Sequence, residues 1–176
     1  MISWASALVL LLVAGPEPAS RSMPAPLVVE GEAAPTFQLR TLDGSLVKLE
    51  DLAYPGKERA WAKKRSVLLD FFRTDCSPCR AAMPALVALA KELKAEGTEV
   101  IVVALLEPTD GKEKLRRYAE RSLAGLTVVV DESDHVAKKY LGPSVTLPAS
   151  FLIDRDGRLK WAKRGAGDLK AAFERP

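Results

Sequence analysis

Cysteine and histidine are scarce: 176 residues contain two cysteines and one histidine. A four-thiolate zinc site needs twice as many cysteines, and His135 has no second imidazole with which to share a metal, so a structural metal is not expected. Neither sign of charge dominates. The 26 basic and 23 acidic residues leave a net charge of +3, too small an excess for a nucleic-acid-binding footprint. The short basic cluster Lys63, Lys64 and Arg65 reads as a solvated loop. Internal repeats and low-complexity tracts are absent, as are a twin-arginine pair and a lipoprotein cysteine near the start. After Gly15 no apolar run is long enough to span a bilayer.

What the chain does contain begins with an apolar run. Ile2 to Gly15 is continuously apolar or small, and the proline-rich stretch Pro16 to Pro26 follows it. That order reads as a secretory hydrophobic region and spacer. Residues 1–26 are therefore expected to be a signal peptide or N-terminal anchor plus linker. The rest, 27–176, is long enough for one full core and short for two. The expected location is the periplasm or another exported one, with the protein soluble after cleavage or held at the membrane by its N-terminus.

Glu30 to Leu52 holds two short alternating segments around Asp43-Gly44, the pattern of a hairpin at the edge of a domain. Ala53 to Arg65 reads as a surface loop that Trp61 packs onto the domain. Val67 to Phe72 and Glu99 to Leu106 are apolar enough to be strands buried on both faces. Between them, Leu86, Leu89, Ala90 and Leu93 mark a helix from about Cys79 to Glu96, with Pro84 inside it and Gly97 as its stop. The remaining expectations are helices over Gly111–Leu123, Ser133–Leu141 and Ala166–Phe173, and strands over Leu126–Val130, Ala149–Ile153 and Arg158–Lys163. Asp154 to Gly157 is a turn too short to be a calcium loop. His135 reads as a solvated or capping residue at a helix start, and Trp161 as a packing residue. Strands alternating with helices, then a closing hairpin and helix, predict an α/β sandwich with a mixed central sheet.

Both cysteines stand together. Val67 to Pro84, VLLDFFRTDCSPCRAAMP, places Cys76 and Cys79 in a Cys-x-x-Cys spacing where a strand gives way to a helix. Unpaired N–H groups and the positive dipole end of a helix stabilise a thiolate at the first cysteine. A bridge across two residues removes little chain entropy, so the pair is expected to be reactive rather than a stabilising staple.

Several motifs now stand in one order: Gly31-Glu32-Ala33-Ala34-Pro35-Thr36-Phe37 with its Leu-Asp-Gly hairpin, the strand and Cys-x-x-Cys, Pro84, and Leu147-Pro148-Ala149-Ser150-Phe151-Leu152-Ile153-Asp154 with Gly157. In these the chain resembles the thioredoxin superfamily, most closely its exported TlpA/ResA-like thiol–disulfide oxidoreductases, from Glu30 to the C-terminus. The resemblance implies a thioredoxin fold with an N-terminal β-hairpin extension. It implies that Cys76 is the exposed nucleophile, that Cys79 is the buried resolving thiol, and that Pro78 sits between them as a modulator of the couple. Asp70, at the end of the strand, matches the buried acid that helps move the proton of the second cysteine. Pro148 matches the proline whose preceding peptide bond is cis, which lets the Leu147 backbone bind an extended partner. No cofactor is implied. The partners implied are disulfide-containing proteins and a membrane electron donor, with the chain itself a monomer.

One position departs from the family. An aromatic residue usually precedes the first cysteine, and here it is Asp75. A carboxylate beside Cys76 opposes its thiolate and raises the thiol pKa, which makes the couple more reducing; Arg73 and Arg80 counter it. The expected function is thus a thiol–disulfide oxidoreductase working as a disulfide reductase on exported proteins. Two alternatives share the fold. A peroxiredoxin-like peroxidase needs a threonine three residues before the cysteine, where Arg73 stands. A non-catalytic binding adaptor would keep its disulfide inert. A Sco-like copper chaperone needs a wider cysteine spacing and a later histidine than His135.

Overall fold

Apolar residues on both faces of one strand require a layer on each side, and β3 (Ser66–Phe72) has them. The computed structural model describes residues 28–54, 64–109 and 111–173. The expectations for segment 1–26, for Trp61 and for Lys63 lie outside the described residues. Alternation along β3 sends Val67, Leu69 and Phe71 into one core cluster and Leu68 and Phe72 into the other. Neighbouring β4 (Thr98–Leu105) alternates in the same way: Ile101, Val103 and Leu105 join the first cluster, and Val100, Val102 and Ala104 the second.

In chain order the other elements are β1 (Gln38–Thr41), β2 (Leu46–Lys48), α1 (Leu49–Leu52), α2 (Ser77–Ala95), α3 (Gly111–Ser122), β5 (Thr127–Asp131), α4 (His135–Leu141), β6 (Ala149–Ile153), β7 (Leu159–Arg164) and α5 (Leu169–Phe173). One seven-stranded sheet runs in the order β2-β1-β5-β4-β3-β6-β7. Strands β3, β4 and β5 are mutually parallel, while β1 and β6 run against their neighbours. This is the expected mixed sheet of an α/β thioredoxin-type fold, with the β1–β2 hairpin at its edge.

Helix α2 covers the second cluster with Cys79, Met83, Leu86, Leu89, Ala90 and Leu93. It begins two residues before the expected Cys79, because Ser77 and Pro78 fill its first turn. A proline there loses no hydrogen bond, since the first N–H groups of a helix are unpaired anyway. Gly97, at φ +81°, ends it in the left-handed conformation that glycine adopts most readily. On the other face, Tyr140 of α4 packs against Phe71 and Phe151, with ring centroids 5.5 and 5.1 Å away, and donates to Pro35 O at 2.7 Å.

Two expectations need correction. Asp70 is not at the end of its strand but inside β3, paired with Val102 on one side and Ser150 on the other. The Ala53–Arg65 loop opens in the core: Ala53 is fully buried, following the short helix α1 that the sequence pattern did not signal. His135 is the solvated residue expected at the start of α4, not its cap. The buried Asp131 caps α4 instead, accepting the N–H groups of His135 at 3.0 Å and Ala137 at 2.7 Å.

Candidate active site

The end of β3 delivers the chain, through Arg73, Thr74 and Asp75, to the N-cap of α2, which is Cys76. Its Sγ accepts the Cys79 N–H at 3.2 Å, so the sulfur takes up one of the donors that a helix start leaves unpaired. The two cysteines are joined: Cys76 and Cys79 form a disulfide with sulfurs 2.05 Å apart and Cα atoms 5.3 Å apart. They differ in exposure. Cys79 is fully buried among Met83, Leu86 and Phe72, whereas Cys76 is half-buried and Pro78 exposed. An attacking group therefore reaches the sulfur of Cys76 first.

Strand β6 brings a second segment to the same end of the sheet. Ala149 pairs with Phe71, which sets Pro148 level with Phe72, and the Leu147–Pro148 peptide bond is cis. Pro148 is buried; Leu147 is half-buried and packs, like Cys76, against the cluster beneath α2. Residues far apart in sequence, Cys76, Cys79, Leu147 and Pro148, thus share one end of the fold.

Asp70 lies beneath this end, on the α2 face between Leu68 and Phe72, and is 2% exposed. Its Oδ1 accepts the Ser150 hydroxyl at 2.7 Å; its Oδ2 is buried without a partner. Burial raises the carboxyl pKa to about 6, against the opposing pull of the Ser150 hydrogen bond and the positive charge of Lys163. A group with that pKa exchanges a proton near neutral pH.

The loop before the disulfide is held by charge. Arg73 Nε lies 2.6 Å from Asp75 Oδ1. Thr74 donates its hydroxyl to Glu107, at the end of β4, and Lys114 of α3 lies 2.8 Å from the same carboxylate. These two hydrogen bonds hold the Glu107 carboxyl below its ordinary pKa.

Every residue named for the site from the sequence is at this end of the molecule or directly below it. Ser150, Lys163, Thr74 and Glu107 were not foreseen. Ser150 carried one signal, a polar side chain in an otherwise apolar strand beside Pro148; the others reach the site only through strand register and side-chain length. Among the described residues no cluster of histidine, cysteine, aspartate or glutamate could hold a metal ion. A groove of about 770 Å³ lies between the β1–β2 hairpin and α4 and contains neither cysteine.

Comparisons with known proteins match this geometry. The model of the AhpC/TSA family matches residues 30–162. The thiol–disulfide oxidoreductase ResA of Geobacillus kaustophilus is 36% identical over 134 residues, which are 76% of this chain and 68% of the relative. ResA of Geobacillus thermodenitrificans is 35% identical over the same length. A solved structure from Chlorobium tepidum, described as a thiol:disulfide interchange protein DsbE, superposes with a TM-score of 0.68 at 30% identity, covering 84% of this chain and 94% of that one. With a Cys-x-x-Cys disulfide at the head of α2 and a ResA-like sequence over three quarters of its length, the chain belongs to the AhpC/TSA family as a ResA-like thiol–disulfide oxidoreductase.

Proposed function

We propose that the chain is a disulfide reductase for exported proteins, with residues 27–176 as the catalytic domain and residues 1–26 as its export signal or membrane anchor. The observation that carries the reading is the unequal burial of the two cysteines, half-buried Cys76 and fully buried Cys79. In the reduced enzyme the Cys76 thiolate attacks one sulfur of a partner disulfide. A Cys76–partner bond forms, and the other partner sulfur leaves as a thiolate that takes a proton from water. Cys79 then gives its proton to the free Oδ2 of Asp70 and attacks Cys76 Sγ. The Cys76–Cys79 bond forms as the Cys76–partner bond breaks, so the partner's disulfide is reduced and the enzyme's dithiol oxidised.

The placement of Leu147 at the same end of the sheet as Cys76 supports a docking role for its backbone, with which an extended partner segment can pair. Pro78 restrains the turn between the sulfurs, and Asp75 modulates the couple toward reduction. The oxidised enzyme is returned to the dithiol by a membrane electron donor, and a monomer suffices for both half-reactions. The apolar run Ile2–Gly15 supports export. Among the described residues no helix is long and apolar enough to cross a membrane.

The test is a trap. Cys79→Ala leaves the mixed disulfide unresolved, so partners should remain attached to Cys76 through a bond that dithiothreitol releases, and Cys76→Ala should capture none. Absence of any reducible adduct from Cys79→Ala in the source cell would sink the reading. Insulin reduction by the wild type, coupled to a chemical dithiol, separates an enzyme from an inert adaptor.

A further inference from the structure

Asp70, Ser150 and Lys163 form one row across three strands. Asp70 of β3 pairs directly with Ser150 of β6, which pairs directly with Lys163 of β7. Directly paired residues in antiparallel strands point to the same face, with Cβ atoms about 5 Å apart. That face is the one covered by α2, because Leu68 and Phe72, two residues on either side of Asp70, pack with Cys79 there. The row therefore ends beneath the disulfide at one side and at the half-exposed Lys163 at the other.

The two oxygens of Asp70 are treated differently. Oδ1 accepts from Ser150 at 2.7 Å, and Oδ2 is buried with no partner. A carboxylate can accept on both oxygens, and a buried acceptor is ordinarily paired. An oxygen left without a protein donor beneath a reactive cysteine is free to take a proton. The Lys163 Nζ lies 3.0 Å from where a Cβ on Gly167 would sit, beside the loop before α5. No other charged group faces Asp70 among the described residues: β4 offers Val102, α2 offers Cys79 and Met83, and β6 offers Ser150.

We propose that Ser150 is a positioning residue for the resolving step, fixing the Asp70 carboxyl through Oδ1 so that Oδ2 stays open to the Cys79 proton, with Lys163 behind it as the charge that keeps the carboxyl ionisable. This rests on the reading of Asp70 as the proton acceptor of Cys79. Ser150 acts through Asp70 and touches neither sulfur. Its hydroxyl favours the ionised carboxylate, as does the positive charge of Lys163, and both oppose the effect of burial. The step stays balanced: the proton leaves Cys79 Sγ for Asp70 Oδ2, and the electron pair left on sulfur forms the bond to Cys76.

Mixing the reduced protein with 5,5′-dithiobis(2-nitrobenzoate) separates the two steps. Cys76 attack releases one coloured thiolate, and resolution by Cys79 releases the second. In the wild type the second phase should accelerate as pH rises through an apparent midpoint that belongs to the Asp70–Cys79 pair. Ser150→Ala should move that midpoint upward by about one pH unit, a tenfold change in proton concentration, and leave the first phase unchanged. Ser150→Thr, which keeps the hydroxyl, should restore it. Lys163→Met should shift the midpoint in the same direction by less, and Lys163→Arg should not shift it. Should Ser150→Ala fold poorly, the Lys163 pair still decides whether this side of the sheet tunes the step. Asp70→Asn is the control for the underlying reading and should remove the pH-dependent rise. If Asp70→Asn keeps the wild-type profile, Asp70 is not the acceptor. If Asp70→Asn flattens it while Ser150→Ala and Lys163→Met leave the midpoint in place, the acceptor stands and the positioning role is overturned.

Discussion

Arg73 Nε reaches Asp75 Oδ1 at 2.6 Å, immediately before Cys76. The carboxylate that replaces the family's usual aromatic residue is thus not an isolated negative charge, and its opposition to the Cys76 thiolate is partly cancelled by the guanidinium bonded to it. Both side chains are more than 40% exposed, so solvent screens each effect to under about 1 kcal/mol, less than one pH unit in the thiol pKa. Asp75→Asn should lower the Cys76 pKa, Arg73→Gln should raise it, and the double variant should return close to the wild type. Thiolate absorbance followed against pH in the reduced protein reads all three. Because exposed pairs are screened by salt, molar salt should bring the single variants together. A shift of several pH units from Asp75→Asn alone would mean that the pairing does not operate in the reduced state.

The raised pKa of Asp70 has a consequence for stability. A carboxyl that moves from 3.8 in the unfolded chain to about 6 in the fold favours the folded state most below pH 3.8 and loses that contribution as pH rises through 6. Above pH 6 the buried carboxylate costs about 3 kcal/mol, at 1.36 kcal/mol per pH unit of difference. Asp70→Asn removes the ionisation and keeps an acceptor for Ser150. Urea unfolding of the oxidised protein should find this variant close to the wild type near pH 4, and more stable by an amount of that order at about pH 8. Equal stabilities at both pH values would show that water or a moving side chain already solvates Asp70.

The parts legible in the sequence are those written locally. Cys76 and Cys79 stand three residues apart at a strand-to-helix junction, Gly97 ends α2, and Asp43-Gly44 turns the edge hairpin; each needs only its neighbours in the chain. Asp70 and Pro148 were legible through the family's order of motifs. Ser150 and Lys163 were not, because their meeting with Asp70 is a matter of register: Ser150 lies 80 residues from Asp70, and a slip of one residue in β6 would turn its hydroxyl to the opposite face. Helix α1 was missed for a different reason. Its four residues, Leu49–Leu52, are too few for an apolar stripe to repeat.

Gly157 tests the packing at the other end of the sheet. It has φ +79°, and a Cβ there would lie 2.3–2.5 Å from ring atoms of Tyr54, whose hydroxyl donates to Ala34 O at 2.5 Å. The ring therefore clamps the N-terminal segment onto the β6–β7 turn. Gly157→Ala combines a left-handed backbone with an overpacked contact, and the expected loss is about 2–4 kcal/mol. The companion Tyr54→Phe keeps the ring and loses only the hydrogen bond, with an expected cost of about 1 kcal/mol. Denaturant melts of the two variants rank them. If Gly157→Ala proves the milder, the ring is not packed as described.

Glu107 links the pH response of the fold to the loop before the disulfide. It accepts from Thr74, two residues before Cys76, and from Lys114 of α3, and both bonds favour its ionised form and lower its pKa. A carboxyl with a lowered folded pKa contributes stability above its ordinary value of 4.5 and loses it as pH falls through the folded value. Acidification should therefore loosen Thr74 and Asp75 before it affects the buried strand β3. Amide hydrogen exchange should lose protection in that loop first. Glu107→Gln keeps an acceptor for Thr74 but not the charge that pairs with Lys114, so its loop should exchange faster at neutral pH and lose the acid-dependent step. Because that loop leads directly into Cys76, whose N–H donates to Arg73 O at 3.1 Å, the same variant should change the first phase of the nitrobenzoate reaction more than the second. A change confined to the second phase would instead place Glu107 on the proton route of Asp70.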